Sequence, residues 1–504
     1  MREESATSWH GDAQPVDLRE RAVKGAGASV FAQIITFTAH TIGTIILARL
    51  LSPSDFGLVT MVSSFTLLLM NFGFNGFTEL IIQRNTVNQV ELSTMFWLHG
   101  ALSLVLMLVF IGTGPVLSVF YNEPAVKGVT MVMALGILAQ MLSTHHLAIL
   151  KRNMEFRKVG LNQVVAGVSS VVLAVGMALG GCGYWAIVGR QLCIPVVMAI
   201  GAWIMCPWRP GAPGTFAMAL SILKYAARVY GTFALGYFAR NLDKVFLGRL
   251  HGADVLGNYD RAYYLSSMPA EQVVTPLHSV ALATLSRLRN DPERYRTYYV
   301  YAVRTLAFVG VLAGLYLVLL GKDLVFVLLG GGWDQAGEVV VAFGPGVPAM
   351  LVYATHSWVH LSLGTPERWL RWNLASSALT FLLVVLAAKI GSVALAGALS
   401  GSLYVLMPLA LWYAGRPIEI GLGAVVKAIW PFFGAGVATW MCLILFANCI
   451  SATAKFITDT GAPLRILSVS LIGSVLYACF VALFYRSWKP IEEVIVVVRT
   501  VARR

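Results

Sequence analysis

Charge is scarce in this 504-residue chain: 12% of its residues are Asp, Glu, Lys or Arg, and 58% are hydrophobic. Soluble domains carry roughly 25% charged residues. That balance excludes a water-soluble globular protein and also a protein with one membrane anchor. Cysteine is sparse too. Cys182, Cys193, Cys206, Cys442, Cys449 and Cys479 form no Cys-x-x-Cys pair, which excludes a zinc or disulfide framework of that kind. They read as small buried hydrophobes. No basic segment followed by an apolar core opens the chain, so residues 1–24 read as a cytoplasmic tail and not as a cleaved signal. No glycine loop followed by Lys-Ser/Thr is present, and Gly330-Gly331-Gly332 is a turn. No nucleophile elbow occurs, and the loops are too short for a large extramembrane catalytic site. The chain is therefore expected not to be an enzyme, to hold no cofactor or metal, and to bind no nucleic acid.

What remains is apolar. Runs long enough to cross a bilayer, about twenty residues each, recur near 25–50, 58–82, 94–118, 126–150, 159–179, 185–205, 229–250, 258–285, 297–320, 337–361, 372–388, 393–413, 425–447 and 465–485. The expected fold is an all-α polytopic membrane protein with about fourteen transmembrane helices. Charge placement tests that map. With the N-terminus in the cytoplasm, the cytoplasmic segments hold 25 Lys and Arg and the opposite loops hold 5. This is the bias of the positive-inside rule, and it puts both termini in the cytoplasm.

The halves echo each other. Arg49-Leu50 followed by Gly57 recurs as Arg249-Leu250 followed by Gly257, and Gly183–Gly189 recurs as Gly391–Gly397. The echoes suggest a duplicated six-helix unit, two pseudo-symmetric lobes in parallel orientation around a central cavity. The expected organisation is an N-lobe (25–205), an inter-lobe cytoplasmic linker (206–228), a C-lobe (229–413), two extra helices (425–485) and a cytoplasmic tail (486–504). Pro490–Arg504, with an apolar centre and basic ends, reads as a helix lying on the inner surface.

The polar residues inside apolar runs are the candidates for function. Arg240, Asn241, Asp243 and Lys244 interrupt the seventh run. A charge at the centre of a membrane helix costs about 2.5–3.5 kcal/mol on insertion scales. Positions 240, 243, 244 and 247 share one helical face. Two readings stand open: the charges line a central cavity, or Asp243 neutralises its basic neighbours between helices. In the eighth run, Asp260, Tyr264, Ser267, Glu271, Thr275 and His278 make one polar stripe beside Pro276. Asp260, Glu271 and His278, with the acids Asp243 and Glu79, are candidates for coupling transport to H+ or Na+. A wet amphipathic face is the alternative.

The first half differs. Residues 25–48 contain no acid, and their polar members, such as Gln33, Thr36 and Thr44, are uncharged or neutral at pH 7. Asn71, Asn75 and Glu79 share a face of the second run. A cavity lined by Gln33, Asn75 and Asn241 suits a sugar cargo, and Arg240 with Lys244 suits a pyrophosphate. His356 and His360 stand one turn apart without a carboxylate companion and read as a contact between helices. His145 and His146 are expected near the headgroups, beside Lys151-Arg152.

Residues 46–60, residues 241–264 and Leu285-Ser286-Arg287-Leu288 with Asp291-Pro292-Glu293-Arg294 resemble bacterial polysaccharide transporters. These are the lipid-linked oligosaccharide flippases of the multidrug/oligosaccharidyl-lipid/polysaccharide exporter superfamily. The resemblance runs over about 20–485. It implies two six-helix lobes with two extra helices, and alternating access by rocking lobes. It implies a cargo of undecaprenyl-pyrophosphate-linked repeat units, an ion as coupling partner, and contact with the polysaccharide polymerase and export machinery. Of the basic residues, it carries over Arg240 and Lys244 to the pyrophosphate. Arg49, Arg249 and Arg261 match the family's repeated pattern near helix ends. Two rival readings meet the residues less well. A cation-coupled multidrug exporter resembles its relatives in keeping an acid in the first helix, and 25–48 has none. A polysaccharide polymerase needs a long extracytoplasmic loop, and none is present.

Overall fold

The structure, a computed structural model, describes residues 15–71, 74–83, 87–449 and 461–492. Among these the chain is helical throughout, with no strand. The helices are α1 (Pro15–Leu50), α2 (Pro53–Met70), α3 (Phe74–Gln83), α4 (Gln89–Tyr121), α5 (Ala125–Arg152), α6 (Phe156–Leu179), α7 (Trp185–Met205) and α8 (Phe216–Arg287). They continue with α9 (Pro292–Leu329), α10 (Asp334–Phe343), α11 (Gly346–Ala354), α12 (His356–Ser362), α13 (Pro366–Ala387), α14 (Ser392–Gly415), α15 (Leu422–Cys449) and α16 (Ala462–Tyr485).

Local chemistry sets several starts. Ser52 caps α2, accepting from the Asp55 amide at 3.3 Å, and Asp55 returns an acceptor to the Ser52 amide at 2.9 Å. This is a capping box with Pro53 in the first turn, where a missing N–H costs nothing. Asn88 caps α4 through the Glu91 amide at 2.7 Å, and Asp291 caps α9 through the Arg294 amide at 3.2 Å.

Among the described residues every expected apolar run is helical, but two are broken. The second splits into α2 and α3 after Asn71. The tenth becomes α10, α11 and α12 and bends by 53° between Phe343 and Gly346. Pro345 and Pro348 withhold donors there, and Gly344 and Gly346 let neighbouring chain approach. The seventh and eighth runs form the two arms of α8, which break at Gly252, at φ 81° and ψ −174°. Glycine takes that positive φ without a Cβ clash. Among the described residues eleven helices are long and apolar enough to cross a membrane, and the bent stretch makes a twelfth. The expected fourteen is not reached on that measure. The arms of α8 make the difference, since their apolar faces are interrupted by the charges noted above.

The chain divides into two compact units, Met1–Gly257 and Asn258–Arg504. In the first, α6 packs on α1 and α7, and α5 packs on α2, α3, α4 and α7. The first arm of α8 belongs here; the Tyr230 hydroxyl donates to the Leu68 carbonyl of α2 at 3.0 Å. The connection from α7 to α8 is strapped to the start of α4. The Trp208 indole donates to Gln89 Oε1 at 2.7 Å, and the Gly211 and Gly214 amides donate to Ser93 Oγ and Thr94 Oγ1 at 2.8 and 2.7 Å. In the second unit α9 packs on α10, α11, α15 and α16, and α14 packs on α10, α11 and α13. Asp323 of α9 pairs with Arg465 of α16, and the Tyr316 hydroxyl donates to the Ser470 carbonyl at 2.8 Å.

One expectation changes. Of the described cysteines only Cys206 is buried; Cys182 and Cys479 are exposed, and none is paired. An apolar residue on an outward helix face meets lipid, not protein, so hydrophobicity alone does not place it inside. The surface helix expected over 490–504 falls mostly on 493–504, outside the described residues.

Candidate functional site

The charged stretch lies in the first arm of α8, in unbroken helix up to Gly252. Asp243 is buried, and its Oδ1 accepts the Lys244 amide at 2.8 Å. Lys244 and Asn241 are half-buried, and Asn241 Nδ2 donates to the Tyr237 carbonyl at 2.9 Å. The side chains of Arg240, Asn75 and Glu79 lie outside the described residues. Gln33 stands exposed on α1.

The polar stripe on the second arm is not one environment. Asp260 is buried and pairs with Arg261, whose guanidinium also lies 5.7 Å from the Tyr264 ring centre. Ser267 is buried, Glu271 is exposed, and half-buried His278 lies 6.3 Å from the Trp358 ring. Helical spacing aligned these residues, but it does not say how deep each one sits.

The histidines are placed otherwise than expected. His145 and His146 are fully buried, with His99, in an aromatic cluster. His99 stacks on Phe77 at 4.8 Å, and His146 lies 4.6 Å from the Trp203 ring and 5.2 Å from Trp208. Phe77, Phe96, Trp203 and Trp208 pack around these rings. His356 and His360 are buried in α12 with rings 6.2 Å apart. Among the described residues no group of three ligating side chains forms a metal site.

One cation escaped the sequence reading as a site residue. Arg190 of α7 is buried, donating to Thr44 Oγ1 and the His40 carbonyl of α1, each at 3.0 Å. Its signal was a lone arginine in an apolar run. A cavity of about 100 Å³ lies between α9 and α10, lined by Lys322, Phe326, Trp333, Asp334 and Glu338. It is far too small for an oligosaccharide.

The sequence matches the family described as polysaccharide biosynthesis protein over residues 46–338, more than half of the chain. The chain belongs to this family. The chain is 23% identical over 329 residues to the lipopolysaccharide biosynthesis protein WzxC of Escherichia coli K12, covering 64% of this chain and 65% of that one. It is also 23% identical over 329 residues to the succinoglycan biosynthesis transport protein ExoT of Rhizobium meliloti, covering 65% and 66%. The match thus spans slightly less than two thirds of either relative. In fold the chain resembles the lipid II flippase MurJ in an inward closed conformation, with a TM-score of 0.72 at 14% identity over 91% of this chain and 99% of that one. The all-α polytopic fold expected for the family is therefore the fold observed. Both arms of α8, all of α9 and the start of α10 fall inside the matched region.

Proposed function

We propose that this protein is a flippase that carries undecaprenyl-pyrophosphate-linked oligosaccharide across the bacterial inner membrane for exopolysaccharide or O-antigen synthesis. Membership of the polysaccharide biosynthesis family carries the reading. The flippase-like fold and the polar residues kept inside α8 agree with it. On this reading the protein translocates and does not catalyse. Residues 25–205 and 229–413 act as alternating lobes, 206–228 joins them, and both termini face the cytoplasm. Arg240 and Lys244 meet the pyrophosphate, while Asn241, Gln33 and Asn75 meet sugar hydroxyls.

Deletion followed by complementation tests the assignment. The deleted strain is expected to lose surface polysaccharide and to accumulate a complete lipid-linked repeat unit on the cytoplasmic leaflet. Accumulation of an incomplete unit, or of none, rejects it.

Transport is proposed to draw on H+ or Na+. Among Asp243, Asp260, Glu271, His278 and Glu79, Glu271 is the described acid that stands exposed. Moving one charge through 100 mV is worth about 2.3 kcal/mol, enough to bias an alternating cycle. Glu271→Gln is expected to flatten the proton dependence of transport in vesicles. An unchanged dependence excludes that carboxylate.

A further inference from the structure

Three cations gather where the start of α13 meets the end of α14. Arg368 and Arg371 stand in the first two turns of α13, and Arg416 directly follows α14. Among the described residues none of the three takes part in an ion pair. Glu419, three residues after Arg416, is engaged by Arg296 of α9 at 3.1 Å, and Glu367 forms no ion pair with Arg371 one turn on. Aromatic rings hold two of the guanidinium groups. Arg368 donates to the Tyr413 carbonyl at 2.7 Å and lies 4.6 Å from the centre of that ring; Arg416 lies 4.2 Å from the centre of the Trp412 ring. A guanidinium held by its face keeps its N–H edge available to an anion. Trp372 of α13 stacks on Tyr413 at 5.9 Å, so these two residues mark the contact between the antiparallel helices. A helix turns by about 100° per residue. Arg371 precedes Trp372 and Trp412 precedes Tyr413, so on antiparallel helices both turn to the same side of that contact. Both are exposed there. The same side continues as two apolar tracks. Val405, Leu409, Trp412 and Arg416 follow one exposed face of α14, and Arg371, Leu374 and Leu382 follow one exposed face of α13. Each track ends in an arginine.

We propose that this face of α13 and α14 is a binding site for an anionic phospholipid, whose phosphate meets Arg371 and Arg416 and whose acyl chains lie along the two tracks. Guanidinium groups present paired donors that match the two free oxygens of a phosphodiester. Arg368, held against Tyr413, adds a third positive charge. The exposed apolar residues add what a soluble anion cannot use, so the site selects a lipid phosphate and not a free one. A zwitterionic lipid carries its own ammonium beside the phosphate, which the arginines repel, so the site also selects among lipids. Placement of Lys and Arg puts this end of the pair at the cytoplasmic surface, where anionic lipids collect and where Trp rings such as Trp412 sit at headgroup level. The site stands on α13 and α14 alone and needs no assumption about the cargo.

The test uses full-length protein in detergent micelles, with the first bound lipid measured by native mass spectrometry. The probes are phosphatidylglycerol and phosphatidylethanolamine. The unaltered protein is expected to bind phosphatidylglycerol roughly tenfold more tightly, the weight of one charge-assisted contact. Equal binding of the two lipids overturns the site, and this comparison needs no variant. Arg371→Gln combined with Arg416→Gln is expected to lower phosphatidylglycerol affinity roughly tenfold and to remove the preference. Arg287→Gln combined with Arg289→Gln takes the same charge from the exposed end of α8 and its following turn, and should change affinity by less than about twofold. Equal losses in the two double variants overturn the site, because they report overall charge. Inorganic phosphate in large excess should leave the lipid bound; displacement shows a simple anion site and overturns the lipid. Displacement by an equimolar polyprenyl pyrophosphate gives the groove to a transported carrier and overturns it as well. Failure of any of these leaves the flippase assignment standing.

Discussion

Lys244→Ala is expected to lower surface polysaccharide roughly 30- to 100-fold while the protein still reaches the membrane. Hydrogen bonds to charged groups contribute about 1.5–3 kcal/mol each, and 1.4 kcal/mol is about tenfold. Loss of one ammonium contact to a pyrophosphate therefore accounts for about 2–3 kcal/mol, and Arg240→Ala should act alike. The measurement is polymer yield from a deletion strain complemented by each variant, beside an immunoblot of the membrane fraction. Normal yield from both variants rejects a cargo role for these cations. A second pair of variants separates the two readings of the stretch. Asp243 is buried next to Lys244 and accepts its amide. If the charges only neutralise one another, Lys244→Gln should be rescued by adding Asp243→Asn. If Lys244 serves the cargo, the double variant stays inactive.

Trp208→Ala is expected to destabilise the first unit by about 3–5 kcal/mol, the usual cost of emptying a buried aromatic site. Trp208 is 2% exposed, packs 5.2 Å from His146 and 5.9 Å from Phe96, and donates to Gln89 at 2.7 Å. Whole domains are stable by about 5–15 kcal/mol, so the loss is a large share. Thermal unfolding in nanodiscs should fall by about 10 °C. Gln89→Ala removes the hydrogen bond and leaves the ring, and should cost about 1 kcal/mol. An unfolding temperature unmoved by Trp208→Ala would show that the strap contributes nothing to the unit. Limited proteolysis offers a second readout, since the strap is what holds residues 206–215 against α4.

The helical map was legible because a bilayer imposes a simple rule. Each crossing needs about twenty apolar residues, and backbone groups in hydrocarbon must pair within the helix. Apolar run length therefore located α1, α4 to α7, α9 and α13 to α16. The break at Gly252 was visible as the gap between the seventh run, which ends at 250, and the eighth, which starts at 258. The tenth run bends at Gly344-Pro345-Gly346, a stretch whose glycines and proline mark it in the sequence as a place for close packing and bending.

Placement of side chains was a different matter. Periodicity assigns a residue to a helix face but does not say what that face touches. The stripe from Asp260 to His278 is one line in sequence, yet it passes from a buried ion pair to an exposed Glu271. His145 and His146 looked like interface residues because Lys151 and Arg152 follow, but Phe77, Phe96, Trp203 and Trp208, from distant parts of the chain, surround them inside. Arg190 looked like one cation among several until α1 supplied its acceptors.

From the amino-acid order alone came the membrane, the helices, the family resemblance and the repeated Arg-Leu…Gly pattern, because hydrophobic run length and local motifs are properties of neighbouring residues. Only the tertiary structure decided that a loop is bound to α4 and that the histidines are dry. Each of those depends on chain segments tens to hundreds of residues apart, where one-dimensional pattern carries no distance information.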